Sequence, residues 1–156
     1  MKTDIIEWNS HYAVGIEQID NQHRKLLDMA NNLCLGCGQE DKSAKVYFQM
    51  TIHEMINFLK YHFSTEEQIL KNIRYPDIAA HKQQHNDFVK RIFDTVDQME
   101  QPQQPGPQHF THQLRNMIII HITLIDKKYA TYIHILNRGM EFQKEEYSLP
   151  SEMFLG

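Results

Sequence analysis

The chain has 156 residues, 41% of them hydrophobic, with 16 Lys and Arg against 20 Asp and Glu, ten His and a formal charge of −4. That length suits one domain with a real core, and the acidic balance speaks against nucleic acid or an anionic membrane surface as partner. The opening Met1-Lys2-Thr3-Asp4 lacks the basic-then-apolar pattern of a signal peptide, and the longest aliphatic run, residues 117–120, is too short to span a bilayer, so a cytoplasmic protein is expected.

No segment alternates with period two, whereas period 3.6 recurs four times. Residues 1–15, with the sole tryptophan Trp8, read as an arm folded across the helical part of the chain. The first stripe is Ile16, Ile19, His23, Leu26, Ala30 and Leu33, stopped by Gly36 and Gly38. The only cysteines, Cys34 and Cys37, form a single C-x-x-C at its end. Half a zinc site or a redox pair is conceivable, but no second C-x-x-C exists, and the favoured reading is packing as small hydrophobes. The second stripe is Phe48, Ile52, Met55, Leu59, His62, Glu66 and Ile69, after which Tyr75-Pro76-Asp77 turns the chain. The third is His81, His85, Phe88, Ile92, Val96 and Met99, ending before a Gln/Pro-rich stretch at 101–108. The fourth is Leu114, Met117 or Ile118, His121, Ile125, Tyr129, and Tyr132 or Ile133. Four amphipathic helices with short connections predict an all-α, antiparallel up-down-up-down four-helix bundle over residues 16–137. Residues 138–156, ending near Met153-Phe154-Leu155, read as an extension, either packed on the surface or a docking peptide for a protein partner.

Five histidines and two carboxylates fall in these helical segments: His23, His62, Glu66, His81, His85, His121 and Asp126. In an antiparallel bundle, the starts of the first and third helices lie level with the ends of the second and fourth. At about 1.5 Å per residue, the seven agree in depth to within about a turn or two. Residues four apart share a helix face, so His81 and His85 can bind one ion and Glu66 reaches the level of His62. Asp126 stands five residues from His121, which on an α-helix rotates it off that face by about 140° and obliges it to reach sideways, as a bridge between two metals must. Buried unpaired, Glu66 and Asp126 would each cost several kcal/mol. Imidazole with carboxylate suits iron, zinc or copper, and the lack of thiolates argues against structural zinc. Five imidazoles divide as three and two. If both carboxylates and a solvent-derived oxo or hydroxo group bridge the ions, the three-histidine ion is closed and the two-histidine ion keeps one open position. Such a vacancy suits a small neutral molecule. The remaining histidines, His11, His53, His109, His112 and His134, fit no pair and read as structural, surface or cap residues.

At these residues the chain resembles the hemerythrins, and in particular single-domain bacterial ones. The similar blocks are Trp8-Asn9, then Gly15-Ile16-x-x-Ile19-Asp20-x-Gln22-His23, then His62-Phe63-x-x-Glu66-Glu67. Tyr75-Pro76 with His81-x-x-x-His85 comes next, and then His121-Ile122-x-x-x-Asp126-Lys127-Lys128-Tyr129. The resemblance covers residues 8 to about 133. It implies a non-haem di-iron centre that binds O2 reversibly, with His81, His85 and His121 on one iron, His23 and His62 on the other, and Glu66 and Asp126 bridging. Candidate lining residues for the O2 pocket are Leu59, Phe63, Met117, Ile118, Leu124 and Ile125. Two departures stand out. Met117 occupies a position where the family usually has Trp, a loss of bulk expected to admit water or larger ligands. Arg74 replaces the Gly usual before Tyr-Pro, a loop change expected to leave the metals untouched.

Carriage, storage or sensing of O2 is therefore the leading expectation, with no enzymatic activity. The rivals are a di-iron enzyme acting on peroxide or nitric oxide, and a signalling module docking a partner through its tail. A ferritin-like oxidase is disfavoured, because the ligand positions carry no Glu-x-x-His pair.

Overall fold

A computed structural model describes residues 5–38, 42–99, 101 and 103–147. The described residues form helices and no strand. Helix α1 spans Glu17–Gly36, α2 Lys42–Asn72 and α3 Ile78–Gln98. The fourth helix is composite, with α4 at Pro107–Ile120, a π-helical turn at His121–Ile125 and α5 at Asp126–Tyr147. The four rods make the expected bundle, α1 packing on α2 and α4, and α3 on α2 and α4. No helix among the described residues is long and apolar enough to cross a membrane.

Local chemistry sets the helix ends. Gly15 turns the chain into α1 with a φ of +87°, a conformation that costs a residue with a Cβ about 1–2 kcal/mol. Asp20, in the first turn, accepts from the Val14 and Gly15 amides at 2.7 and 3.2 Å, where a carboxylate also suits the positive end of the helix dipole. The end of α2 is closed by the Tyr75 amide reaching back to the Leu70 carbonyl at 2.9 Å, with Arg74 at a φ of +55°. Arg74 thus holds the left-handed conformation that glycine adopts without cost. Pro107 starts α4 at a position where the missing N–H removes no helical hydrogen bond.

The core is divided into two. A long apolar cluster runs from Phe48 and Phe110 through Ile52, Met55, Leu114 and Ile92 to Leu59, Phe63, Ile118 and Ile122. A second joins Val14, Ile19, Leu70, Tyr75 and Tyr129. Along α2 the layer holding His62 and Glu66 therefore lies between Leu59 and Leu70, walled by hydrocarbon on both sides. Burial of each such large side chain contributes about 1.5–3 kcal/mol, and this holds the polar layer in place.

The arm folds across this layer. Asn31 binds the backbone of Ile6 in both directions, at 3.1 and 2.9 Å. Trp8 packs against Tyr12 and His23, under the Arg24 guanidinium. Lys127 donates to the Ala13 carbonyl, tying the arm to α5. At the other end, α5 runs through residue 137 to Tyr147 without a break, so no change of backbone marks the extension expected from 138. The docking segment Met153-Phe154-Leu155 lies outside the described residues.

Candidate metal centre

The structure brings all seven candidate ligands into one layer, at 0–6% exposure. They form two overlapping groups. Glu66, His81, His85, His121 and Asp126 make one, and His23, His62, Glu66 and Asp126 the other, with one donor atom from each within 4.8 Å of the rest of its group. The two carboxylates belong to both groups, and the imidazoles divide as three and two.

Asp126 reaches its place by a route other than the sideways one expected. The turn from His121 is π-helical, and the Asp126 amide bonds back five residues to the His121 carbonyl. At about 80° per residue, a five-residue π turn returns the chain to nearly the same face. Asp126 Oδ1 therefore sits 3.1 Å from His121 Nε2. The extra residue is accommodated by bulging the exposed side of the helix, where Leu124 projects at 61% exposure.

The donor atoms are neighbours without being hydrogen-bonded to one another. Separations between imidazole Nε2 and carboxylate oxygens run from 3.1 Å for His85–Glu66 and His23–Asp126 to 3.7 Å for His81–Asp126. Yet the Nε2 atoms of His23, His62, His81, His85 and His121, Glu66 Oε2 and both Asp126 oxygens are buried without a hydrogen-bond partner. Donor atoms held about 2.0–2.1 Å from a shared ion stand about 3–3.4 Å apart, so spacing and direction both suit convergence on a cation. Leaving such groups unmatched costs about 1–3 kcal/mol each. The residues present fit a metal.

Other side chains aim the ligands. Glu67 Oε1 lies 2.9 Å from His85 Nδ1, and Gln22 Oε1 lies 2.8 Å from His62 Nδ1. Both acceptors select the tautomer with its proton on Nδ1, turning the Nε2 lone pair inward. Gln22 is itself positioned by Thr65. The Tyr129 hydroxyl donates to Glu66 Oε1, leaving Oε2 to face the centre, and Phe63 stacks on His85 with ring centroids 3.9 Å apart. Gln22, Glu67 and Tyr129 stand in the blocks that carry the family resemblance, but residue type and helical period alone gave no sign of these orienting roles.

Electrostatics show the same demand for positive charge. Burial works against ionisation of Glu66, but His62, His23, His81 and His85 hold its carboxyl well below the ordinary range. Burial and the Glu66 charge likewise oppose ionisation of Asp126, and His121 and His23 bring it down. Burial alone would lower His23, yet Asp126 and Glu66 raise it to about 9. His62, where burial dominates, drops to about 4. Burial, then the Glu66 charge, pushes the Tyr129 phenol well up, which keeps it a donor.

Beside the layer is an inner cavity of about 10 Å3, lined by Leu26, Leu59, His62, Phe63, Phe88, Ile118, His121 and Ile122. Of the candidate lining residues, Leu59, Phe63 and Ile118 lie on this cavity. Leu124 and Ile125 do not, because the π turn rotates Leu124 to solvent and places Ile125 in a different, outer cleft. Ile122 takes the inward position instead. Met117 also lies on that outer cleft and not on the cavity.

Cys34 and Cys37 are fully buried free thiols. Cys37 belongs to the long apolar cluster and its thiol lies 3.7 Å from the Ala44 carbonyl. Burial raises the pKa of both, that of Cys37 to about 11, which disfavours thiolate chemistry.

Comparison with known proteins agrees with this geometry. Residues 14–133 match the hemerythrin HHE cation-binding domain. The chain is 32% identical over 88 residues to a bacteriohemerythrin of Stenotrophomonas maltophilia, covering 56% of each chain. To a bacteriohemerythrin of Clostridium acetobutylicum it is 35% identical over 88 residues, 54% of this chain and 67% of that one. A hemerythrin-like protein of Naegleria gruberi is 29% identical over 83 residues, 53% of this chain and 62% of the relative. The matched segments thus span between about half and two thirds of these curated relatives' own length. With the family domain matched over residues 14–133 and the seven candidate ligands gathered in one buried layer, this chain belongs to the hemerythrin family.

Proposed function

We propose that the protein binds O2 reversibly at a pair of iron ions held by His23, His62, Glu66, His81, His85, His121 and Asp126. The observation that carries this reading is the unequal sharing of ligands: two carboxylates common to both groups, three imidazoles on one side and two on the other. Iron so held would supply the electrons and the coordination position that O2 binding needs. His81, His85 and His121 would hold the closed ion, and His23 and His62 the open one. The similar bacterial proteins are bacteriohemerythrins, which supports a hemerythrin-type function.

The chain's own residues define what can bind. Leu26, Leu59, Phe63, Phe88, Ile118 and Ile122 wall the inner cavity with hydrocarbon and aromatic surface. The space, about one water-sized sphere, admits a neutral diatomic and offers water too few polar partners. Excluding water protects reduced iron from lasting oxidation. Gln22 and Glu67 keep the imidazole lone pairs pointed inward, and Tyr129 holds its proton at Glu66 Oε1.

A second reading, turnover of peroxide or nitric oxide, is favoured by one feature: the outer cleft of about 220 Å3 that reaches His121. One experiment separates the two. Iron-loaded, reduced protein is exposed to O2, then degassed, with iron analysis and visible spectra. A charge-transfer band that appears and fades on degassing supports reversible binding. Immediate, lasting oxidation with consumption of added peroxide supports the enzyme, and failure to take up iron defeats both.

A further inference from the structure

Three tyrosines stand in a row that leads from the metal layer to the surface. Tyr129 is buried, with its hydroxyl on Glu66 Oε1 and its ring edge-on to His81 at 5.4 Å. Tyr75, also buried, meets Tyr129 edge-on at 6.4 Å and Tyr132 edge-on at 5.4 Å. Tyr132 is half-buried, and its hydroxyl donates to the Ile73 and Arg74 carbonyls at 3.3 Å each. Edge-on aromatic pairs are favourable in any core, and phenylalanine would supply that packing as well. What the phenols add is chemical: each can give up one electron together with one proton.

Another oxidisable ring touches the layer from the opposite side. Trp8 lies 6.4 Å from His23, half-buried, with the Arg24 guanidinium 4.8 Å from its ring centroid. Local charge chooses between the two exits. A ring that loses an electron becomes positive, so a guanidinium over the indole opposes the loss. Tyr129 instead holds a carboxylate at its hydroxyl. Tyr75 borders a surface cleft together with Asp77 and Lys128. Burial first, and then the Asp77 charge, raise the Tyr75 phenol, so the field of Asp77 favours a positive ring there.

We propose that Tyr129, Tyr75 and Tyr132 relay oxidising equivalents from the metal layer to the surface when hydrogen peroxide meets the oxidised iron pair. The relay rests on the reading that iron occupies this layer, but not on reversible O2 binding. Tyr129 gives one electron toward the layer, its O–H bond breaks, and the proton crosses the existing hydrogen bond to Glu66 Oε1. A phenol that has lost an electron is acidic enough to protonate even a weakly basic carboxylate. Tyr75 then returns an electron to Tyr129, which takes back its proton from Glu66, and Tyr75 releases its own proton to water in the cleft. Tyr132 restores Tyr75 in the same way. Each peroxide breaks its O–O bond, and two electrons and two protons drawn from the row complete two water molecules. The oxidising equivalent ends on a half-buried side chain that solvent reductants can reach, away from the imidazoles.

The test mixes iron-loaded, oxidised protein with hydrogen peroxide. One sample is frozen for EPR, and a parallel one is quenched with a nitroso spin trap for peptide mass mapping. The expected result is an organic-radical signal whose hyperfine pattern collapses with ring-deuterated tyrosine, and a trap adduct on Tyr132. Tyr75→Phe keeps the ring packing and removes only the phenol. It should abolish the Tyr132 adduct and strand the radical on Tyr129, with iron content unchanged. Tyr129→Phe, compared at matched iron content, should abolish the tyrosine radical, and Tyr61→Phe at an exposed site should change nothing. A radical on Trp8, a Tyr132 adduct that survives Tyr75→Phe, or no tyrosine radical overturns the relay. Reversible O2 binding without the radical removes the relay and leaves the O2 reading standing. The radical without reversible binding does the reverse, and failure to take up iron defeats both.

Discussion

Removing the metal should lower the stability of this fold, because the layer between the two apolar clusters is built from groups that satisfy nothing else. Five imidazole nitrogens and three carboxylate oxygens lose their common partner when the cations leave. An ion present at 100 to 1,000 times its dissociation constant adds about 2.7–4.1 kcal/mol, and for a chain of this size each kcal/mol shifts the melting temperature by about 2–4 °C. Two ions correspond to a fall of about 10–30 °C on stripping. The assay is a thermal melt followed by far-ultraviolet circular dichroism before and after reductive chelation. The metal-free protein should also show a particular pH dependence. His23 rises from 6.5 to about 9 in the fold, so its contribution is full below pH 6.5 and is lost as pH climbs to 9. His62 falls from 6.5 to about 4, so its contribution is present above pH 6.5 and is lost as pH drops toward 4. Metal-free melts should thus be highest near pH 6.5 and decline on both sides. Iron should remove the alkaline decline, since ligands shed protons to bind metal. A melting temperature that chelation leaves unchanged would refute the claim that the layer requires a cation.

Five further variants have expected outcomes. His85→Ala should reduce iron to about half on metal analysis, whereas Cys34→Ala should leave iron intact and cost about 1–2 kcal/mol in urea unfolding. Glu67→Ala should weaken metal affinity about 10–100-fold in chelator competition by freeing the His85 ring. Arg74→Gly should stabilise by about 1 kcal/mol, because glycine holds a φ of +55° without strain, and iron content should not change. Deleting Leu124 should convert the π turn to an α turn and retain the metal, since four residues of α-helix also bring Asp126 back beneath His121; loss of iron in that variant would show that the bulge itself is required.

The bundle is legible because its signal is repeated: four apolar stripes of period 3.6 each demand a buried face, and short connections leave few ways to satisfy them. The arm is legible more weakly, since Trp8 needs cover, although its hold on Asn31 and Lys127 leaves no mark in the sequence. The pocket is legible in part. Leu59, Phe63 and Ile118 occupy the places that regular helical phase gives them, whereas the same phase misplaces Leu124, because the turn that carries it is not regular. Met117, named through the family resemblance, lies on the outer cleft.

What the sequence alone determined is the candidate ligand set and its level, because residue type, helical period and depth along antiparallel rods are all local quantities that add along the chain. Which imidazoles stand together, which acceptors fix their tautomers and how Asp126 turns inward were decided by the tertiary structure. Those properties arise between helices distant in sequence, or from a one-residue change of helical pitch that the other helices stabilise. Neither leaves a periodic trace in a single chain.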